Sequence, residues 1–410
     1  MTSIVSSRIL QDRISTRHLD AFLLQEGITI DRKLSKFEKI EYLQSTISEN
    51  EDLKSKFNCF LAEECKYNDN RSIITVPFSA THKSSVSSQN KFEKEFSDFK
   101  NYNKYNLLTD KNLQDWFNKD SNKFHQVYFN VEFENEKVIS VSESYVKMRR
   151  NKVTHNNGTK KEEFEDIIET VWIDVYPQER MYRIHFLEKS RDEYSENSSI
   201  HSIYKEFSRI IERKFNIRGE AHSASHVFYK MYKDLTKTAI QPYVDKVKPE
   251  YDKISNFVNE ISSEISYSDQ KEGSIGLDNR VKKIFERALI QQDIVNVVKS
   301  TENKKGFVDT FQYKDPTGGR VHASVSDDAS DMSMHDIYFD TKETIDINQQ
   351  LDAIWVRWFK KEGDRIEQIK IKYESYDSFY LTHFLYRKIS KGVSEYVLPK
   401  YGEFEKQSVQ

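Results

Sequence analysis

Four groups of residues in this 410-residue chain have types and spacings that could do chemistry. The first is KMRRNKVTHNNGTKK, where Lys147, Arg149, Arg150, Lys152, Lys160 and Lys161 crowd together with no acid among them and with Tyr145 and His155 close by. A basic segment with an aromatic at its base can neutralise phosphates and stack a base, so these six cations form the expected nucleic-acid contact. The segment EEFEDIIE follows directly and offers carboxylates to the same cations. The second group is Asp352, Gln368 and Lys370: an acid opening one strand of a hairpin, then a carboxamide and an amine two positions apart on the return strand. Such a set can hold Mg²⁺ and position a water for attack. The third is the pair His222 and His226, whose spacing of four brings two imidazoles to one metal if the segment is helical. It lacks the glutamate of HExxH, and Glu220 and His201 are the remaining ligand candidates. The fourth, Asp327, Asp328 and Asp331 with His335 and Asp336, lacks the spacing and glycine of a calcium loop and reads as a polar surface loop.

Two of these patterns carry a resemblance. The order Asp352, Gln368-Ile369-Lys370, then a cap at Asp377 or Ser378 is similar to the PD-(D/E)xK nucleases, which implies metal-dependent cleavage with Mg²⁺ as cofactor. Gln368 stands where that family has an acid, Asp352 sits at the strand edge, and no PD dipeptide occurs there. Alternating charge on an exposed strand accounts for Glu367, Lys370 and Lys372 without catalysis. Near the N-terminus, a helix, the extended link GITIDRKLS and a second helix locally resemble the SAP and Rho N-terminal modules, which implies contact with a nucleic-acid backbone.

The elements that must position these residues are legible from periodicity. Leu19, Phe22 and Leu23, then Phe37, Ile40, Tyr42 and Leu43, recur at helical spacing, with Gly27 as a stop and Ser35 and Glu38 as a capping box. SATHKSSVSSQNK is Ser-rich and reads as a flexible loop or linker. Val127, Phe129, Val131 and Phe133 alternate as a strand, ENEK turns it into VISVS, and the basic segment then reads as a loop over 145–161. Two tryptophan hairpins, within Glu169–Asn216 and Leu351–Gly392, share one expected layout, each leading into an amphipathic helix. Between them lie helices only: one ending near Pro242, one opening at Pro249, and one with Val281, Ile284, Phe285, Ala288, Leu289, Val295 and Val298 on its apolar face. FVDTFQYKDPTGGRVHASVS reads as a hairpin turned at Asp315–Gly319, and HDIYFD as a further strand.

The expected fold class is α+β and multidomain: a helical head over 1–67, a linker with short helices over 68–124, an α+β domain over 125–219, a helical middle over 220–302 and a second α+β domain over 303–410. Phe and Tyr supply core area that aliphatic residues supply elsewhere, because 13% of the chain is aromatic while only 37% is hydrophobic. A net charge of −3 makes any polyanion surface local. Two cysteines, no apolar run of membrane length and no hydrophobic leader point to a cytoplasmic protein without a membrane partner. The absence of GxxxxGK[ST], of GxGxxG after a strand and of GxSxG removes nucleotide motors, dinucleotide enzymes and ordinary hydrolases. The expected function is nucleic-acid or protein binding without a cofactor, in a prophage or antiviral setting, with self-association through the helical segments. Metal-dependent cleavage is the alternative.

Overall fold

The computed structural model describes residues 14–31, 33–48, 50–68, 71–97, 123–154, 162–187, 200–268, 276–292, 304–314, 318–324, 331–363 and 365–407. It is a mixed α+β protein with antiparallel sheets, as the sequence predicts. The chain divides into two compact units, Met1–His222 with Arg387–Glu395, and Ser223–Tyr386 with Tyr396–Gln410.

Among the described residues the first unit begins with the helices α1 (Thr16–Gln25), α2 (Lys36–Ser48) and α3 (Glu51–Lys66). Gly27 takes φ +68°, which lets the Ile28 amide close back on the Leu23 carbonyl and ends α1. The capping box at α2 forms as expected: the Ser35 amide donates to the Glu38 carboxylate at 2.7 Å, and the Glu38 amide donates to Ser35 Oγ at 3.3 Å. β1 (Ser72–Ala80) and α4 (Gln89–Glu95) follow, then β2 (His125–Glu134), β3 (Lys137–Thr154), β4 (Glu162–Tyr176), β5 (Met181–Phe186), α5 (Ile200–Phe215) and β6 (Ile217–Gly219). The strands order as β2-β3-β4-β5-β1, and β6 pairs with the end of β1.

Strand alternation gives this sheet two different faces. Val171, Ile173, Val175, Tyr182, Ile184 and Phe186 are buried on one, where Phe207 meets Tyr145 edge-on and Phe92 stacks on Phe129 and Phe215. The other face carries Trp172 and Val146, which join Leu19, Phe22, Leu43, Phe57 and Leu61 of the three helices in a second apolar cluster. The segment Arg387–Glu395 also belongs here, through the Ile389 amide on the Asn68 carbonyl and the Lys391 ion pair with Glu63.

The second unit holds α6 (Ser225–Val247), α7 (Tyr251–Glu264), α8 (Leu277–Gln292), β7 (Gly306–Lys314), β8 (Arg320–Ser324), α9 (Asp336–Asn348), β9 (Ala353–Glu362), β10 (Arg365–Ser375), β11 (Tyr380–Phe384) and most of α10 (Lys391–Glu405). Its strands order as β11-β10-β9-β7-β8. Phe311, Ile354, Val356, Trp358, Ile371 and Tyr373 form the apolar face, against which Phe228 and Tyr232 of α6 and Phe404 of α10 pack.

Several elements differ from the sequence expectation, each for a physical reason. Residues 145–154 are not a loop but the outer half of β3, held in register by β4. The Ser-rich stretch is an ordered turn, with Ser84 donating to the Phe215 carbonyl and Ser88 capping α4. α6 runs through Pro242 because Ile240 before it and Tyr243 and Val247 beyond it stay buried, and that burial outweighs the lost backbone hydrogen bond. HDIYFD opens α9, where Tyr338, Thr341 and Ile345 recur on the buried face at helical spacing. On α8, Glu286 and Ile290 are buried while Ile284 and Phe285 are exposed, and positions 295 and 298 lie outside the described residues. The second tryptophan hairpin leads into β11 and not a helix, so the two hairpins do not share one layout: Leu381 and Phe384 pair with Glu374 and Ile371, and the helix starts only at Lys391.

Inside the second unit the Trp358 indole N–H donates to Tyr373 Oη at 3.0 Å, and burial raises the Tyr373 pKa. Tyr373→Phe strands that buried donor. The expected loss is about 1–3 kcal/mol in urea unfolding followed by circular dichroism.

Candidate nucleic-acid interface

The basic segment sits on a ribbon whose geometry follows from strand register. β2 pairs with β3 only as far as His125↔Val146, and β5 pairs with β4 only as far as Phe186↔Val171. Beyond those points β3 and β4 continue as a pair, from Lys147↔Glu169 to Thr154↔Glu162. Among the described residues no other strand flanks these eight pairs. At about 3.4 Å per residue the ribbon extends roughly 25 Å from the sheet. A two-stranded ribbon is marginal alone, and here its inner end is held between β2 and β5.

Register also decides where charge meets charge. Lys147 stands opposite Glu169 and Arg150 opposite Asp166, whereas Arg149 stands opposite Ile167 and Lys152 opposite Phe164. The acidic segment that follows the basic one in sequence therefore places an acid opposite two of these four positions and an apolar residue opposite the other two, and it sets Glu165, Glu163 and Glu162 opposite Asn151, Val153 and Thr154. At the ribbon base the Lys147 ammonium lies 5.5 Å from the Phe124 ring centroid. Nearby, burial raises the Glu206 pKa, with Lys147 opposing the shift. Lys160 and Lys161 lie outside the described residues.

The three residues of the expected metal site do not assemble. Asp352 precedes β9, its carbonyl accepting from Ser375, while Gln368 and Lys370 pair with Phe359 and Arg357. Ser375 lies five residues from Lys370 on the same strand, roughly 17 Å away. Lys370 instead meets an acid that sequence reading passed over. Its ammonium lies 2.9 Å from Asp309 Oδ2, and Arg357 Nε donates to the same oxygen at 3.1 Å. Asp309 is 4% exposed and sits at an irregularity between Val308 and Thr310, so a β7 carboxylate reaches across to β9 and β10.

The histidine pair has no common helical turn. His222 lies in the extended segment before α6, and His226 occupies the first turn, with Nδ1 3.1 Å from the Gln349 carbonyl. Glu220 donates its amide to the Pro77 carbonyl, and His201 is exposed in the first turn of α5. In the acidic group, Asp331 is buried and accepts from Ser333, and burial raises its pKa against the opposing charge of Lys304. His335 precedes α9 and Asp336 opens it, while Asp327 and Asp328 lie outside the described residues. Among the described residues no group of three or more His, Cys, Asp or Glu side chains is placed to hold a metal ion.

The most densely charged interior site is also one the sequence reading missed. Lys66, at the end of α3, contacts Asp174 of β4 at 2.8 Å, Ser142 Oγ donates to the same carboxylate at 2.7 Å, and His185 Nε2 lies 3.1 Å from it. Burial works against both charges, yet Lys66 and His185 hold Asp174 well below the usual carboxylate range, and Asp174 holds Lys66 above the usual amine range. His185 is lowered by burial, which Asp174 only partly opposes. The visible signal was an acid and a histidine inside the apolar strands VWIDVY and YRIHF.

No protein-family model matches the sequence, and no curated protein matches it either.

The His185 environment fixes a pH dependence. A histidine whose folded pKa is depressed contributes stability that is fully present above its unfolded value near 6.5 and is lost as pH falls below it. The first unit is expected to lose stability between pH 7.5 and 5.5, with a slope of at most about 1.4 kcal/mol per pH unit from this residue. His185→Gln flattens that slope. Urea unfolding of both proteins across the range reads it, and identical slopes would assign the pH dependence elsewhere.

Proposed function

We propose that this chain is a cytoplasmic binding protein that engages nucleic acid through the β3–β4 ribbon, using Lys147, Arg149, Arg150 and Lys152 with Lys160 and Lys161. The observation that carries this reading is the ribbon itself: a cation-bearing strand that runs beyond its flanking strands, with Arg149 and Lys152 opposite apolar positions. A two-stranded ribbon has the width that a duplex major groove of about 12 Å admits. Its cations supply the salt-dependent, sequence-independent part of affinity. A prophage or antiviral setting suits a binder of this kind.

A protein partner or self-association is the second component of the proposal, and the helices of the second unit support it. Phe257, Ile261 and Ile265 recur every four residues along and just beyond α7 and are 58%, 39% and 64% exposed. Ile284 and Phe285 of α8 are exposed as well. Val247 of α6 with Ile254 and Val258 of α7 forms a small buried cluster on which Leu277, Val281 and Leu289 of α8 pack only partly buried, so much of the apolar surface of these helices faces outward. No helix among the described residues is long and apolar enough to cross a membrane.

Arg149→Ala/Arg150→Ala in the full chain tests the ribbon. Anisotropy titrations with labelled duplex DNA and RNA are expected to show weaker binding for every sequence, and a salt slope reduced by about two, one for each lost phosphate contact. Unchanged affinity and slope would end the ribbon assignment.

A further inference from the structure

The sheet of the second unit has a second face, and its composition is unlike that of a solvated surface. Register places the residues. Trp355 of β9 lies between Thr310 of β7 and Lys372 of β10, and Lys372 is itself opposite His383 of β11. One row over, Arg357 is opposite Lys370. At the β7–β8 edge, Gln312 is opposite His322 and Lys314 opposite Arg320, which by alternation share this face. The ring contacts of α6 and α10 all fall on the opposite, apolar face.

The side chains are organised around the tryptophan. The Lys372 ammonium lies 5.0 Å from the Trp355 ring centroid, and the His322 ring meets it edge-on at 5.5 Å. Two residues along the same strand, Lys370 lies 5.7 Å from the ring of Tyr386, which is 82% exposed and held at φ +61°. Asp309 fixes Arg357 and Lys370 from below. The face carries Lys314, Arg320, Arg357, Lys370 and Lys372 against Asp309 and Glu374, a local positive excess on a chain of net charge −3.

We propose that this face binds single-stranded nucleic acid, with Trp355 and Tyr386 as stacking platforms for bases and Lys314, Arg320 and Lys372 as phosphate contacts. Parts of this face are buried, at Phe307, Ala353, Phe359 and Leu381, but Tyr386, Lys314 and Arg320 are exposed and Trp355 is partly so, and aromatics interleaved with cations are what unpaired bases require, since their faces are reachable only outside a duplex. A purely acidic peptide such as polyglutamate satisfies the cations but brings no aromatic rings to stack on Trp355 and Tyr386. The site is separate from the ribbon and does not depend on it.

The experiment uses the full chain, a labelled oligothymidylate of about 20 nucleotides, a labelled duplex of equal length and unlabelled polyglutamate as competitor. Lys314→Glu/Arg320→Glu changes exposed positions only, and its unfolding midpoint is checked against the parent. It and Trp355→Leu are each expected to weaken oligothymidylate binding about tenfold or more, within the range one stacked base contributes, while Trp355→Phe retains most of it. The same variants are titrated in an Arg149→Ala/Arg150→Ala background, where the losses from Trp355→Leu and Lys314→Glu/Arg320→Glu are expected to persist, so failure of the ribbon and failure of this face read differently. The proposal is overturned if the parent does not bind oligothymidylate, or if charge reversal in a stably folded protein leaves binding unchanged. Displacement of the oligonucleotide by polyglutamate at equal charge concentration would assign the face to acidic peptides instead.

Discussion

The two-residue alternation of antiparallel strands is the constraint on which the rest of this structure depends. Once the odd positions of β4 and the corresponding positions of β5 are committed to packing under α5, the even positions must face the other way. The same holds in the second unit, where Ile354, Val356 and Trp358 commit β9 to the helices and leave Trp355 and Arg357 on the reverse. Each unit therefore has one apolar sheet face and one face whose chemistry the fold must handle separately.

The first unit handles its second face by burying it. Asp174 and His185 are each about 1% exposed, and Lys66 descends on them from α3. Burying such an ion pair gives little net stability, because desolvation opposes the attraction, but removing one partner leaves an uncompensated buried charge. The cluster thus fixes where α3 ends on the sheet more than it strengthens the fold. Trp172 and Val146 on the same face supply the apolar burial that keeps the three helices in place. In the second unit Asp309 has a comparable organising role, holding an arginine and a lysine from neighbouring strands with a single carboxylate oxygen.

What was legible in the sequence was local. The Ser35–Glu38 capping box, the Gly27 stop, the turn at Asn135 and Glu136 with its positive φ values and the apolar face of α5 all depend on residues within a few positions of one another. Register is not local. The extension of β3 depends on β4 matching it residue for residue, and the composition KMRRNKVTHNNGTKK contains no trace of that partner. DSFYLTHFLYRKIS has helical spacing of its aromatics, yet β10 offers a ladder and Phe379, Leu381 and Phe384 are all buried beside it. Of the candidate sites, the six cations were visible because charge is additive along a chain. The Asp309 cluster was not, because it needs β7, β9 and β10 in order before its three members meet.

The same reasoning bears on how a chain with a small negative net charge can approach a polyanion. At physiological ionic strength charges are screened beyond about 8 Å, so a ligand responds to its immediate surroundings and hardly to the total. The outer pairs of a ribbon roughly 25 Å long are several screening lengths from the anchoring sheet, so the charges they feel are those of the ribbon itself, including Glu162, Glu163, Glu165 and Asp166 on β4. Register then sets which charges are nearest neighbours: Lys147 and Arg150 stand opposite acids, while Arg149 and Lys152 stand opposite apolar residues with acids at the diagonal positions. Arg149 and Lys152, opposite Ile167 and Phe164, are accordingly the positions where the β3–β4 pairing leaves positive charge with no directly opposed acid. A strand partner therefore shapes the electrostatics of the basic segment as strongly as the segment's own composition does.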